Sequence, residues 1–171
     1  MTDRPDVPDL DELRIRPSAR AVIVDPEARV LLVRFEFPRG TVWATPGGGQ
    51  EPGEDDAATV RRELDEEVGL RTAEIGPHLW TRTIVIPFLD GSWDGQCERV
   101  YLVRTSSFVP RPTMSWEQLM AEHVHELRWW SIEELLEAGQ QGVRFAPREL
   151  PALVAAIVTD GPPTTPLVIG A

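Results

Sequence analysis

Two stretches near the start of the chain have the hydrophobic pattern of β-strands. SARAVIVD (residues 18–25) and VLLVRFEF (residues 30–37) are rich in branched side chains, and the turn-like segment Pro26-Glu27-Ala28 separates them. WTRTIVIPFL and ERVYLVRT have a similar composition and flank DGSWDGQ, whose Gly and Asp residues favour a turn. The pattern therefore predicts two pairs of neighbouring strands.

The segment between these pairs follows a helical period. At about 100° per residue, Ala57, Val60, Leu64 and Val68 fall on one apolar stripe of a helix over residues 53–68. Acidic residues at its start and Gly69 at its end are typical helix boundaries. Later in the chain, SIEELLEAG has a Ser followed three residues on by a Glu, which predicts a second helix with a capping box.

Three carboxylates of the first predicted helix, those of Glu63, Glu66 and Glu67, lie beside its apolar stripe. Glu63 and Glu67 are like charges at i,i+4, a pair that destabilises a helix by roughly 0.2 to 0.5 kcal/mol. Arg62 offsets part of this repulsion but cannot reach all three carboxylates. A hard divalent cation such as Mg2+ accepts carboxylate oxygens as ligands. A solvated helix face would explain the charges, but not the glycines and the arginine at their fixed offsets.

Composition narrows the functional classes. The chain has 171 residues, of which 42% are hydrophobic and 26% charged, and its formal net charge is -11. This make-up is typical of a globular protein, and one domain is the default at this length. The acidic balance argues against a nucleic-acid partner, because such proteins carry a clustered basic patch. An anionic small substrate would need local help from metal ions or a few arginines.

Organisation along the chain is simple. We expect an N-terminal extension over residues 1–17, a body over residues 18–158, and a tail over residues 159–171 whose prolines discourage regular structure. The single cysteine, Cys97, cannot form an internal disulfide. The start of the chain lacks the pattern of a signal peptide, and its apolar runs are too short to span a bilayer. These features predict a cytoplasmic protein without a membrane partner.

The glycine-rich turn and the helix together carry a longer pattern. It runs Gly48, five residues, Glu54, seven residues, Arg62-Glu63-Leu64, one residue, Glu66-Glu67, one residue, Gly69-Leu70. This spacing resembles the complete box of the Nudix hydrolase family (MutT-like), and the preceding WATPGGGQEPGE resembles the usual lead-in. The resemblance implies an α/β fold, an α/β/α sandwich with a mixed central β-sheet. It also implies hydrolysis of a nucleoside diphosphate linked to another group X.

The resemblance further implies roles for the residues of the box. Glu63 and Glu67 would be the main ligands of Mg2+, for which Mn2+ can substitute, and Glu66 would share a metal or act through a water. Gly48 would bring a backbone carbonyl close to the same metal. Arg62 would orient Glu63 by hydrogen bonding, and Glu54 would hold a metal-bound water or pair with Arg62.

Residues outside the box supply further candidates. SWEQLMAEHVHELRWW offers Glu117, Glu122 and Glu126 as the general base, and we favour Glu122 from its distance before Trp129. The candidates for substrate contact are Arg34 and Arg82 for phosphate and Trp43 and Trp80 for base stacking. Packing in the core is the alternative for both tryptophans.

Two classes of function stay open after these steps. The intact set of carboxylates favours a metal-dependent pyrophosphohydrolase over a binding module that senses a nucleotide without turnover. Within catalysis, family habit favours a nucleoside triphosphate, oxidised or not, while ADP-ribose and nucleotide sugars are also candidates. A homodimer is expected from family habit alone.

Overall fold

The computed structural model describes residues 12–170 and shows one mixed β-sheet between helices. The strands are β1 (Ile15–Val24), β2 (Val30–Phe37), β3 (Gly40–Ala44), β4 (Gly47–Gly49), β5 (His78–Ile84), β6 (Gly95–Arg104), β7 (Val124–Trp130), β8 (Phe145–Ala146) and β9 (Leu167–Ile169). The helices are α1 (Asp56–Val68), α2 (Trp116–Ala121), α3 (Ile132–Gln140) and α4 (Leu150–Asp160). The strand order is β8-β3-β2-β1-β6-β5-β9, with β4 also paired to β1 and β7 to β2.

Helices cover both faces of this sheet, which confirms the predicted α/β/α sandwich with a mixed central sheet. The alternation of side chains along β1 shows the two layers: Ala21 and Ile23 pack with Leu64 of α1, whereas Val22 packs with Leu135 of α3. The pairs β1–β6, β3–β8 and β5–β9 are parallel and the other pairs are antiparallel. Among residues 12–170, no helix is both long and apolar enough to cross a membrane.

Both predicted strand pairs are present, although their bounds differ. β1 and β2 pair antiparallel, and so do β5 and β6. The strand predicted from Trp80 to Leu89 instead runs from His78 to Ile84, because the chain then turns back on itself. In that turn the Phe88 N–H donates to the Trp93 carbonyl oxygen at 2.9 Å.

Helix α1 begins later than the periodicity suggested. It starts at Asp56, because the Asp55 side chain accepts from the Ala58 N–H at 2.8 Å and so caps the helix. Gly69 ends it in the left-handed conformation, with φ 76°. The predicted apolar stripe is buried, since Val60, Leu64 and Val68 are 0% exposed. Glu63 and Glu67, beside that stripe, are therefore buried as well, whereas Glu66 is not. The capping box predicted at Ser131 is also present at the start of α3.

The two ends of β1 have different antiparallel neighbours. Ile23 and Val24 pair with β2, whereas Ser18, Ala19 and Arg20 pair with the glycines of β4. Because β4 leads into α1, this arrangement places the glycine-rich turn between β1 and the acidic face of the helix.

The C-terminal segment departs from the expectation. Helix α4 continues to Asp160, and residues Leu167–Ile169 form β9, which pairs parallel with Trp80, Thr81 and Arg82 of β5. The expectation that the prolines keep this tail from regular structure is therefore wrong at β9. The prolines lie before the strand, where a missing N–H removes no ladder hydrogen bond. Strand β1 also begins at Ile15, ahead of the expected boundary at residue 18, and most of the predicted extension lies outside the described residues.

Asp25 ties the β1–β2 turn together and yields a stability prediction. Its carboxylate, 4% exposed, accepts from the N–H groups of Glu27 and Arg29, the Arg29 Nε and the Ser107 hydroxyl at 2.9 to 3.1 Å. Burial alone would raise the pKa of Asp25, but these hydrogen bonds outweigh it and hold the pKa below its ordinary value. We expect Asp25→Asn to lower the free energy of unfolding by about 2 kcal/mol at pH 7.

The lowered pKa of Asp25 determines how its contribution to the free energy of unfolding changes with pH. The stabilisation by Asp25 is fully present above its unfolded pKa and is lost as pH falls through the lower folded value. The difference between wild type and Asp25→Asn in urea unfolding should therefore shrink below about pH 4. Asp94→Asn, at an exposed ion pair with Arg14, is the control and should change little. A constant difference from pH 7 to pH 2 would contradict this account.

Candidate active site

The glycine-rich turn lies in contact with the carboxylates of α1. A Cβ added at Gly48 would lie 2.4 Å from Oε1 of Glu63, so only a glycine fits against this carboxylate as it stands. Gly47 adopts φ +133°, and a Cβ there would lie 2.5 Å from the Ala19 carbonyl oxygen. The backbone contact and the positive φ require glycine at position 47, whereas a side chain at position 48 would displace the Glu63 carboxylate.

Of the three helix carboxylates Glu63, Glu66 and Glu67, two are buried at this turn. Glu63 is 7% exposed and Glu67 is 2% exposed. Oε2 of Glu67 accepts from the Gly47 N–H at 2.8 Å, which fixes this carboxylate against the turn. Glu66 points outward, with 35% of its side chain exposed.

Arg62 connects these groups. Its Nε and Nη2 donate to the two carboxylate oxygens of Glu54 at 2.7 and 3.0 Å, and Nη2 also donates to the Gly49 carbonyl at 3.0 Å. Its Nη1 donates to Glu63 at 2.9 Å and to Glu66 at 3.2 Å. The hydrogen bonds expected from Arg62 to Glu63 and to Glu54 are thus present. This planar guanidinium links the turn to the helix in a way that a lysine could not.

The electrostatics divide the carboxylates into two kinds. Burial raises the pKa of Glu67 to about 8, with Glu63 adding to the rise and the Gly47 N–H and Arg20 opposing it. Burial also raises the pKa of Glu63, against the pull of Arg62. By contrast, the hydrogen bonds from Arg62 lower the pKa of Glu54 to about 2. At Glu63 and Glu67, burial thus outweighs the compensation that Arg62, Arg20 and the Gly47 N–H supply.

Glu122 lies on the same side of the molecule as this pair. It caps the C-terminal end of α2, where His123 turns the chain with φ 67° into β7. The segment before α2 is bound to α1, since the Met114 N–H donates to the Glu66 carbonyl at 3.2 Å. The exposed Glu122 carboxylate is among the charges that raise the pKa of Glu67. Of the other candidate bases, Glu126 is bound by Arg34 Nε at 2.8 Å and Glu117 is exposed in the first turn of α2.

The two predicted phosphate-binding arginines have different surroundings. Arg34 lies within β2, which continues to Phe37, and forms ion pairs with Glu126 and Glu36. Nη1 of Arg82 lies 3.8 Å from Oε2 of Glu98, and its buried Nε has no hydrogen-bond partner among residues 12–170. Among residues 12–170, Nη2 of Arg34 likewise makes no hydrogen bond, and this side chain is the more exposed, at 26% against 13% for Arg82. Both arginines therefore keep donor capacity.

The two predicted tryptophans lie in the core. Trp43 is 8% exposed and packs edge-on against Trp130 with ring centroids 5.0 Å apart, and Trp80 is 1% exposed in the same apolar cluster. Rings enclosed in this way have no face open to a base, so the alternative of core packing accounts for both. The aromatic rings near the site belong instead to Phe35 and Phe37, which stack with centroids 6.0 Å apart.

Arg20 and Glu98 are site residues that the sequence reasoning missed. Arg20 on β1 donates to Glu98 on β6 at 2.8 Å and to the carbonyls of Thr45 and Gly47 at 2.9 and 3.0 Å. The signal was visible, since Arg20 is the only charged residue in the apolar run from Ala19 to Val24. A buried charge of this kind requires partners.

The fold and the site together match known proteins. The family model for the NUDIX domain matches residues 14–149. Nudix hydrolase 25 of Arabidopsis thaliana is 28% identical over 134 residues, covering 71% of this chain and 75% of that protein. RNA pyrophosphohydrolase of Rickettsia bellii is 28% identical over 134 residues, covering 72% and 80%. The NUDIX domain of Shewanella oneidensis NrtR, solved with ADP ribose, has 20% identity, covers 93% of this chain and 100% of its own, and superposes with a TM-score of 0.62.

These matches define the class of the protein as a pyrophosphohydrolase, an enzyme that acts on phosphorus-containing anhydrides. The chain belongs to the NUDIX family. Its site combines the glycine turn, the buried carboxylates and the arginine link described above.

Nudix hydrolases generally use divalent metal cations, and the residues of this site fit such an ion. The contact between Gly48 and the Glu63 carboxylate, with buried Glu67 nearby, supplies the hard oxygen donors that these ions prefer. Within the part of the chain that the structure describes, no three acidic, His or Cys side chains already surround one point. Glu63 and Glu66 instead bind Arg62, and Glu67 binds Gly47. Ligation therefore requires side-chain rotation, above all of Glu66.

Proposed function

We propose that this protein catalyses the Mg2+-dependent hydrolysis of the pyrophosphate bond in a nucleoside diphosphate linked to a group X. Nucleoside triphosphates, including oxidised ones, are the substrates that the resemblance favours. The observation that carries the proposal is the contact between Gly48 and the Glu63 carboxylate, with Glu67 buried one helical turn further on. Two buried carboxylates with raised pKa values favour a site for a cation.

The chain supplies the metal ligands from α1 and from the turn. Glu63, Glu67 and the Gly48 carbonyl would hold Mg2+, with Mn2+ as a substitute, and Glu66 would join them after turning away from Arg62. When bound there, the ion supplies charge neutralisation for the phosphates and lowers the pKa of a coordinated water.

Arg62 and Glu54 act as positioning residues in this scheme. Arg62 binds the Gly49 carbonyl, Glu54 and Glu63 at once, so it fixes the position of the turn relative to the helix. Phosphoryl transfer leaves the protein little covalent work and depends on positioning and charge. The ion pair between Arg62 and Glu54 thus serves catalysis through the geometry of Glu63.

Glu122 is the proposed general base, which accepts a proton from the attacking water. Its support is the effect of its charge on the pKa of Glu67, combined with an exposed carboxylate at the end of a helix whose preceding segment is bound to α1. We expect Glu122→Gln to lower kcat by about 100-fold or more at saturating Mg2+, because general-base catalysis contributes roughly 10²- to 10⁴-fold. Glu117→Gln on the same short helix is the matched control and should keep wild-type kcat. Wild-type turnover in Glu122→Gln would exclude this residue as the base.

Substrate contacts on the open side of the site come from β2 and β5. Arg34 and Arg82 both keep N–H groups without a protein acceptor among residues 12–170, which suits a phosphate of the substrate, and Arg34 is the more exposed of the two. Phe35 lies beside Arg20, whose guanidinium carbon is 5.9 Å from its ring centroid, and Phe37 continues the row with 45% exposure. These rings replace the tryptophans as the aromatic faces available to a base, each worth about 1 to 3 kcal/mol when stacked.

A turnover screen tests the proposal. Purified protein with Mg2+ or Mn2+ would be given nucleoside triphosphates, oxidised nucleotides, ADP-ribose, nucleotide sugars and dinucleoside polyphosphates. An RNA bearing a 5′-triphosphate belongs in the panel, because one relative is named RNA pyrophosphohydrolase. Products would be followed by phosphorus NMR, and light scattering on the same preparation would test for the expected homodimer.

The outcomes separate the two candidate classes. Hydrolysis that requires the metal and yields a nucleoside monophosphate would support the proposed function and identify X. Binding of a panel member in the presence of metal, with no product after prolonged incubation, would favour the sensor class instead.

A further inference from the structure

Arg20 occupies an unusual position in the sheet. It is a charged residue in the central strand β1, with 14% of its side chain exposed, and its neighbours Ala19 and Ala21 are 0% exposed. A buried arginine is costly unless its donors are paired. The hydrogen-bond partners of Arg20 therefore indicate its role.

Two of those partners are backbone carbonyls of the glycine-rich turn. Nη1 of Arg20 donates to the Thr45 carbonyl at 2.9 Å and to the Gly47 carbonyl at 3.0 Å. Across the ladder, Arg20 is also the register partner of Gly47. Glycines lack the side-chain restraints that limit backbone rotation, so their peptide planes need an external restraint. Arg20 provides one from the neighbouring strand.

The third partner fixes the arginine itself. Nε of Arg20 donates to Oε1 of Glu98 at 2.8 Å, and Glu98 is 6% exposed. Gln96 donates to the same oxygen at 3.0 Å. Because β6 pairs with β1 along its whole length, this anchor belongs to the most regular part of the sheet. The guanidinium is therefore rigid on one side and holds the turn on the other.

The opposite side of the same turn contacts the acidic helix. The Gly47 carbonyl accepts from Arg20, whereas the Gly47 N–H donates to Glu67 at 2.8 Å. The next residue, Gly48, lies against the Glu63 carboxylate. The Gly47 N–H belongs to the Pro46–Gly47 peptide plane, which lies between the two planes that Arg20 holds, and the Gly48 carbonyl belongs to the plane that follows them. Rotation of the planes held by Arg20 would thus shift both the N–H that Glu67 accepts and the Gly48 carbonyl.

The geometry points to Arg20 as a positioning residue of the metal site: anchored by Glu98, it holds the peptide planes of the glycine turn so that Glu67 and the Gly48 carbonyl stay in place for the ion. The inference rests on the proposed function, since it concerns the same site. It assigns Arg20 no contact with the substrate. Lysine cannot replace it, because one ammonium group lacks the planar fork that reaches Glu98 and two carbonyls at once.

The test compares Arg20→Lys with Arg14→Lys, which changes an exposed arginine with 58% of its side chain exposed. Mn2+ binding would be measured by electron paramagnetic resonance of the free ion. We expect the Kd of Arg20→Lys for Mn2+ to rise about 10- to 100-fold, as for other residues that orient metal ligands. Arg14→Lys should keep the wild-type Kd. At Mn2+ concentrations above the new Kd, the KM for substrate should stay at the wild-type value.

A measurement on metal-free protein gives a second, independent readout. Hydrogen exchange at the Gly47 amide, followed by NMR, should accelerate about 10-fold in Arg20→Lys, because the peptide planes on both sides of this amide lose their hydrogen bonds to Arg20. Exchange in the β1–β6 ladder should not change. Arg20→Gln, which keeps a neutral donor, should give the same pattern if Arg20→Lys proves too unstable to measure.

Several results would overturn the inference. Unchanged Mn2+ affinity and unchanged Gly47 exchange in a folded Arg20→Lys would do so. A raised KM with normal Mn2+ affinity would do so as well, since it would show substrate contact. Loss of the folded state in both variants, detected by circular dichroism, would show that Arg20 serves the whole fold. If the wild-type protein binds Mn2+ but hydrolyses no substrate, the proposed function is wrong and the inference about Arg20 stands. If the wild-type protein does not bind Mn2+, the proposed function and the inference are both wrong.

Discussion

Glu67→Gln is expected to lower kcat/KM by on the order of a thousandfold, the scale seen when one charge-stabilising group is removed from an active site. The substitution keeps the size of the side chain and keeps an oxygen that can accept from the Gly47 N–H. It removes only the negative charge offered to the metal. Turnover of the substrate found in the screen, at saturating Mg2+, measures the effect.

The same variant should become more stable without metal. Glu67 is 2% exposed and has Glu63 beside it, so its charge is unfavourable in the folded protein. In the presence of EDTA we expect the free energy of unfolding to rise by about 1 kcal/mol, which raises Tm by roughly 2 to 4 °C. Glu133→Gln at an exposed position of α3 is the control and should alter neither property. Activity near wild type in Glu67→Gln, or a lower Tm with EDTA, would contradict the role assigned to this carboxylate.

Gly47→Ala should have the largest effect on stability. The new Cβ would lie 2.5 Å from the Ala19 carbonyl oxygen and 2.6 Å from the Arg20 Cα, and φ is +133°. Both contacts involve the backbone of the central strand, which cannot move aside as a flexible side chain would. We expect a loss of about 3 kcal/mol or more in the free energy of unfolding, measured by urea titration.

Gly53→Ala separates the two causes of that loss. Gly53 also has a positive φ, +86°, but a Cβ there meets nothing within 4 Å. It should therefore show only the conformational cost of a left-handed alanine, about 1 kcal/mol. Equal losses in the two variants would mean that the close approach of β1 and β4 is not the reason for glycine at position 47.

The parts of the fold that follow from local chemistry could be predicted from the sequence. Helix α1 shows its apolar stripe, its acidic start and its terminal glycine within a few residues of each other, and the structure moves only its beginning, to Asp56. The strands β1 and β2 were predictable for the same reason, because branched residues flank a recognisable turn. The common face of Glu63, Glu66 and Glu67 was predictable too, because their spacing along one helix determines where their side chains lie.

Pairings between distant segments could not be predicted in this way. Strand β4 consists of three glycines, which carry no strand pattern, and it exists because β1 pairs with it. The hydrogen bonds from Arg20 to the carbonyls of Thr45 and Gly47 depend on that same pairing. For Trp43 and Trp80, composition allowed either a ligand contact or core packing. Their burial depends on packing with residues of α3, α4 and β8, which lie far along the chain from both tryptophans.

The short strand β9 has a consequence for how the protein can be handled. Strand β5 would otherwise present its backbone donors and acceptors at the rim of the sheet, and such rims recruit other chains into aggregates. Leu167 to Ile169 close that rim, and because the covering strand has only three residues, it offers little template of its own. Removal of the residues after α4, or a tag fused directly to β9, would therefore threaten solubility more than chemistry.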